Sequence, residues 1–345
     1  MTTVESSKLV GSYIDPALAR LTVGEWSQRW MSGQAHLKPS TRERYAGIVR
    51  EHIDPKWSRV RLADVSHTEV QSWVMKLSAQ RSAATVRKVH RVLSLILALA
   101  VKDGRLARNP AAGVNLPRVV EGERRYLTHG QVVALADACG RDYRLVVLFL
   151  AYTGCRWGEM AALRAGRLDL LRRRAEITES VTVVRGRQVW GTPKGHERRS
   201  VPIPRFLVDE LAVHVAGKPR DELVFRGAKG GALRAQVFQR SAFTEAVEAV
   251  GVEGMHPHEL RHTAASLAIA AGAHVKVIQT MLGHKSATMT LDLYGHLFPD
   301  QLDEVADALD AAHVAAAVPQ MCPTSNVVDL GAARRSAAPP GNRGV

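Results

Sequence analysis

Residues 256–263 read HPHELRHT. Pro257 suits the first turn of a helix, because its ring presets φ and its missing N–H would have no partner there. His258 and Arg261 stand three apart, so a helix beginning here carries both on one face. Arg261 and His262 are neighbours and cannot both point the same way. His258, Glu259 and His262 also match H-E-x-x-H, the zinc-peptidase pattern. That pattern needs a third ligand, and no Glu lies between Thr263 and Asp303. Ala265 and Ala268 occupy the places where its extended form requires Gly and His, so the zinc reading is set aside.

Three further stretches share the character of the first. Residues 282–297, LGHKSATMTLDLYGHL, place His284 after a Gly-terminated helix and Tyr294 ten residues later. Residues 151–164, AYTGCRWGEMAALR, predict a helix that ends at Thr153-Gly154 and a new one that presents Arg156. An Arg at a helix start adds its fork to exposed amides and to the positive end of the dipole, which suits a phosphate or oxyanion. Glu159, one turn on, can steady Arg156 or its neighbours. Between these lie the β-branched runs ITESVTVV, RQVWGT and RRSVPIP, separated by Gly186 and by Pro193-Lys194-Gly195. They predict a small antiparallel sheet with hairpin turns, with Lys194 at the tip of one. Lys229, on a Gly-rich loop, is the alternative basic residue.

The N-terminal third is helical and basic. Thr22 with Glu25, Ser40 with Glu43 and Ser66 with Glu69 each fit a capping box. Ser82 caps a fourth helix whose Val86, Val89, Val92, Leu93, Ile96, Leu97 and Ala100 share one side, and Gly104 can end it. Pro55 is expected to stop the second helix. Trp26, Trp30, Trp57 and Trp73 are assigned to the core of this unit. From Arg20 to Arg118 there are 18 Lys and Arg against 7 Asp and Glu. This stretch carries most of the excess of a chain with 47 Lys and Arg, 33 Asp and Glu and a formal net charge of +14. Such an excess favours a polyanionic partner, nucleic acid before membrane. At 345 residues, 46% hydrophobic and 23% charged, the chain can bury about two domain cores. No apolar run reaches the length of a membrane span. The N-terminus has no basic head followed by an apolar stretch, so no secretory signal is read. Cys139, Cys155 and Cys322 are odd in number and far apart, which fits a reducing cytoplasm better than a disulfide framework.

The expected organisation is a tail at 1–19, a helical domain at 20–104, a Pro/Gly-interrupted basic linker at 105–126, a second domain at 127–312 opened by the Thr128–Gln131 cap pair, and a flexible tail at 313–345. The fold class is mainly α with a small antiparallel β-sheet (α+β).

Taken together and in order, T-G-C-R-W-G-E-M, P-K-G, H-E-L-R-H-T, L-G-H and L-Y-G-H resemble the tyrosine recombinases, or phage-type integrases. The resemblance spans roughly residues 20–310. It implies a helical core-binding domain followed by a catalytic domain. It implies that Tyr294 attacks a scissile phosphate of DNA and leaves a 3′-phosphotyrosine. Arg156 and Arg261 would clamp the non-bridging oxygens with His284 as a further donor, and Lys194 would protonate the leaving oxygen. His258 would take or return the Tyr294 proton or donate to phosphate, and Glu159 would support the arginines. No metal or nucleotide cofactor is implied. The implied partners are double-stranded attachment sites, three further copies of the chain on synapsed DNA, and a recombination directionality factor. Localisation would be cytoplasmic, at the nucleoid.

The short stretch before the first capped helix suggests core-type sites without an arm-binding domain. The resemblance implies that the helix candidate 301–317 docks on a neighbouring protomer, with packing on its own protomer as the alternative. Phage or mobile-element integration and excision is the first reading, and chromosome or plasmid dimer resolution is the alternative within the family. Two other classes are a nicking-closing enzyme like a type IB topoisomerase and a non-catalytic DNA-binding regulator. The full set Arg156, His258, Arg261, His284 and Tyr294 argues against the regulator.

Overall fold

A computed structural model describes residues 20–120, 122, 125–193, 195, 198–298 and 302–317. The chain divides into two units, one ending at Leu297 and one beginning at Phe298.

The first unit opens with α1 (Val23–Ser32), started by the expected capping box. The Thr22 hydroxyl accepts from the Glu25 N–H at 3.2 Å, and the Glu25 carboxylate accepts from the Thr22 N–H at 2.8 Å. Helix α2 (Pro39–Ile48) departs from the expectation. It begins one residue before Ser40, with Pro39 in its first turn and Lys38 as a cap without a side-chain hydrogen bond. The pre-set φ of Pro39 decides the start. Glu43 is thereby released from capping, and its carboxylate meets Arg185 at 2.7 Å.

Pro55 does not stop this helix. A π turn (Val49–Ile53) carries the chain into α3 (Asp54–Trp57), with the Asp54 N–H donating five residues back to the Val49 carbonyl. The missing N–H of Pro55 then falls in a first turn, where none is needed. Helix α4 (His67–Ser78) has the Ser66–Glu69 box, and α5 (Ala83–Lys102) is capped by Ser82. All seven apolar residues predicted for one side of α5 are buried, as are Trp26, Trp30, Trp57 and Trp73. The Trp26 indole donates to the Ile96 carbonyl at 3.0 Å, and Trp57 meets Trp73 edge-on at 5.8 Å. Gly104, at φ +69°, lets the Arg105 N–H reach back to the Ala100 carbonyl at 2.8 Å. The segment after it folds back on the helices. Leu106, Ala111 and Val114 join their core, and Gln71 and Asn115 exchange two hydrogen bonds.

The remainder of the first unit is built on α7 (Arg141–Thr153), whose residues Leu145–Ala151 are all buried. Around it lie α6 (His129–Ala138), with the expected Thr128–Gln131 box, and α12 (Glu259–Ala270). Between them in the chain come the short α8 (Trp157–Ala161) and the strands. These form two sheets, not one. Strands β1 (Leu168–Asp169), β2 (Arg174–Ile177) and β5 (Arg199–Pro202) make an antiparallel three-stranded sheet. Strands β3 (Ser180–Val184) and β4 (Arg187–Gly191) make a separate hairpin. The run ITESVTVV therefore splits, because Ala175 and Ile177 face the core with Val201 while β3 turns away. Lys194 lies outside the described residues. The strands before and after it in the chain, β4 and β5, belong to different sheets.

Helices α9 (Arg205–Val215), α10 (Ala235–Phe238) and α11 (Thr244–Ala249) cover the core; a π turn joins the last two. Helices α13 (Val275–Leu282) and α14 (Ala287–Tyr294) complete this unit. The second unit contains α15 (Leu302–Ala317), which runs five residues into the stretch read as a tail. Residues 1–19 and 318–345 of the expected tails lie outside the described residues.

Candidate active site

Helix α7 ends on Gly154, at φ +64°, whose N–H closes on the Leu150 carbonyl at 3.1 Å. A Cβ at this position would meet Leu282 Cδ2 at 2.6 Å, so conformation and space both require glycine. The turn presents Arg156 as the cap of α8. Its backbone N–H donates to Glu159 at 2.9 Å, and its guanidinium meets the other carboxylate oxygen at 2.9 Å. Glu159 is completely buried in its side chain, and Arg199 on β5 grips it with two hydrogen bonds, 2.6 and 3.1 Å.

Three guanidinia then converge on three consecutive carbonyls at the C-terminal end of α13. Arg199 donates to Met281 at 3.0 Å, Arg261 to Leu282 at 2.5 Å and Arg156 to Gly283 at 3.3 Å. Helix carbonyls at this end lack partners in their own helix and carry the negative end of its dipole, so they suit cations. Arg261 also donates to the Gly154 carbonyl at 2.5 Å, which ties the two glycine turns together. Three positive groups and one carboxylate leave this pocket with a surplus of positive charge.

The surplus is visible in proton affinities. Burial and the neighbouring Arg156 pull the Arg261 guanidinium down to about 10. Burial alone would raise the Glu159 carboxyl, but the hydrogen bonds and charge of Arg199, with Arg156, hold it below its ordinary value. His284 follows the α13 turn, nearly buried, with Nδ1 3.0 Å from the Thr290 hydroxyl. Burial, then Arg261 and Arg156, push its imidazole down to about 4, so it is neutral at pH 7. Its ring stacks on Tyr294, with centroids 6.4 Å apart and planes at 4°.

Tyr294 ends α14 and is 1% exposed. Its hydroxyl lies 2.8 Å from His262 Nδ1. His258, exposed at the start of α12, meets His262 edge-on with ring centroids 5.6 Å apart. The burial of Cys155 beside this cluster pushes its thiol up to about 11, so it is no nucleophile at neutral pH.

The structure thus brings Arg156, Glu159, His258, Arg261, His284 and Tyr294 into one contiguous cluster. Lys194 lies outside the described residues. Lys229 is exposed in the Gly227–Gly231 turn, beside a cavity lined by Tyr143, Gln188, Leu233 and Val237. Glu259, the would-be base of the zinc-peptidase pattern, instead accepts from the His256 N–H at 2.6 Å. Among the described residues no three His, Cys, Asp or Glu are placed to share a metal ion.

Two members of the cluster escaped the sequence reading. Arg199 was readable as a charge on the buried face of its strand, in phase with Val201 and Ile203. His262 was readable as the i+4 neighbour of His258 on α12.

Residues 23–116 match the profile of the phage integrase central domain, and residues 125–301 that of the phage integrase family. The chain is 24% identical over 326 residues to a tyrosine recombinase XerC-like protein of Caldanaerobacter subterraneus, covering 84% of this chain and 83% of that one. It is 24% identical over 288 residues to the integrase of Mycobacterium phage FRAT1, covering 80% of this chain and 84% of that one. Its fold matches the Tn1549 transposon integrase solved with a circular intermediate DNA. The TM-score is 0.71 at 18% identity, covering 84% of this chain and 99% of that one.

Proposed function

The chain belongs to the phage integrase family of tyrosine recombinases, and on that premise we propose that it cuts and rejoins duplex DNA through a 3′-phosphotyrosine on Tyr294, integrating and excising phage or mobile-element DNA. The observation that carries this reading is a tyrosine hydroxyl set beside histidines and two arginines that, among the described residues, have no buried carboxylate other than Glu159 to neutralise them.

In the proposed reaction Tyr294 Oη bonds to the phosphorus and the bond to the 5′-oxygen breaks. Charge builds on the non-bridging oxygens. Arg156 and Arg261 donate to them from positions already fixed by the carbonyls of residues 282 and 283, so little reorganisation is needed at the transition state. His284, neutral at pH 7, adds a hydrogen bond without adding charge. His258 donates from the exposed start of α12. Lys194 supplies the proton to the 5′-oxygen, a role that rests on its place in the sequence. The covalent bond stores the phosphodiester energy, so a 5′-hydroxyl from a second duplex can reverse the step without a nucleotide. Exchange between two duplexes requires four cut strands and therefore four protomers on DNA.

A library of nicked duplexes with randomised centres tests the reading, because the nick traps the cleaved state. Wild-type protein in EDTA is expected to become covalently linked to a selected subset of sequences, and Tyr294→Phe to none. DNA binding without any adduct would leave a non-catalytic regulator as the better reading. Recovered sequences resembling phage attachment sites or chromosomal dimer-resolution sites would divide the two family roles.

A further inference from the structure

The tyrosine hydroxyl must lose a proton as it attacks, and the cluster contains three histidines that could receive it. His284 is poorly placed. Its Nδ1 faces Thr290, its ring lies parallel to the tyrosine ring, and burial with the arginines behind it keeps it from holding a proton at neutral pH. His258 is exposed at the head of α12, and its ring contact is with His262. Among the described residues, it is His262 whose ring nitrogen lies at hydrogen-bond distance from the reacting oxygen, 2.8 Å, with its ring centroid 5.7 Å from that of Tyr294.

We infer that His262 is the general base for Tyr294: its Nδ1 accepts the hydroxyl proton during cleavage and returns it during rejoining. The inference rests on the phosphotyrosine reading and deepens it. As the Oη–P bond forms and the P–O5′ bond breaks, the Oη proton moves to Nδ1, and the 5′-oxygen takes its own proton from the separate acid. The step requires His262 as the Nε2–H tautomer, with Nδ1 unprotonated. Among the described residues, the groups facing this ring are His258 from its own helix, Tyr294 from α14 and His284 from the loop before α14, with the Arg261 and Arg156 guanidinia next to His284. Helical spacing produces the arrangement. His258 and His262 are four residues apart and rise on one face of α12, while Arg261 between them turns to the carbonyls of Gly154 and Leu282. The edge contact between the two rings gives the proton a path from half-buried His262 to exposed His258 and water. One helix thus divides the work: Arg261 and His258 serve the phosphate, and His262 serves the nucleophile.

The test is single-turnover adduct formation on the nicked duplexes between pH 5 and 9. It uses an ordinary phosphodiester and a 5′-bridging phosphorothiolate, whose sulfur leaves without a proton. His262→Asn keeps an amide near the Nδ1 position but cannot take up a proton, and His262→Gln provides a second variant should the first fail to fold. Wild type is expected to lose rate as pH falls and the base becomes protonated. Both variants are expected to slow on the order of 100-fold or more with either leaving group and to lose this acid limb. His258→Gln should slow cleavage yet keep the limb. A limb retained in the His262 variants, or lost in His258→Gln, overturns the assignment. An absence of adduct from wild type would instead refute the phosphotyrosine reading on which it rests.

Discussion

Glu159 is wholly enclosed and remains ionised because Arg199 and Arg156 supply four polar contacts to its carboxylate and its cap. Removing one partner of such a group leaves a buried charge uncompensated. Glu159→Gln is expected to cost about 3–5 kcal/mol in a urea titration at pH 7. Arg199→Met should cost a similar amount, and the double variant less than the two together. The pH dependence follows from the depressed carboxyl. Its contribution is fully present above the unfolded value of 4.5 and is lost as pH falls through the lower folded value. Wild-type and Glu159→Gln denaturation midpoints should therefore draw together as pH falls below 4.5. His284 adds a second loss, as pH drops from 6.5 toward 4. At this scale the sequence showed the groups proposed to attack and clamp. It hid those that act through a partner, because a buried Arg199 is understood only once Glu159 is seen across from it.

Two left-handed glycines set the register of whole elements. Gly154 ends α7 and Gly283 ends α13, and the carbonyls beside them hold Arg261 and Arg156. Gly154→Ala meets an unfavourable φ and the Leu282 side chain at once. It is expected to destabilise by about 2–4 kcal/mol and to slow adduct formation more than Gly104→Ala, whose site has open space around it. Paired thermal melts and cleavage rates would show this. Element starts were readable where a hydroxyl and a Glu or Gln stand three apart and nothing competes, as at Thr22, Ser66 and Thr128. They were misread where proline governs. Pro39 moved the start of α2 forward, and a π turn absorbed Pro55. The strands were found but their partners were not, because pairing of β2 with β5 across an intervening hairpin is a long-range fact that local alternation does not encode.

The charge of the whole molecule argues for phosphate contacts spread along the helical third. With six or more such contacts, affinity should fall about 10³–10⁵-fold between 50 and 200 mM salt. A titration with a nonspecific duplex checks this, and a flat response would contradict it. The helical third also touches the β-hairpin region directly. Lys38 donates to the carbonyls of Thr192 and Pro193, both at 3.2 Å, beside the Glu43–Arg185 pair. For helix α15 we propose a contact to a neighbouring protomer. Deleting residues 300–345 should leave single-site cleavage intact and abolish pairing of two sites. Normal pairing would remove that role.

The most direct measurement of the central claim is peptide mapping of the trapped protein–DNA adduct after nuclease and trypsin digestion. The account predicts a phosphonucleotide on Tyr294, joined through a 3′-phosphate. A nucleotide on any other side chain, or a 5′-phosphate linkage, would contradict it.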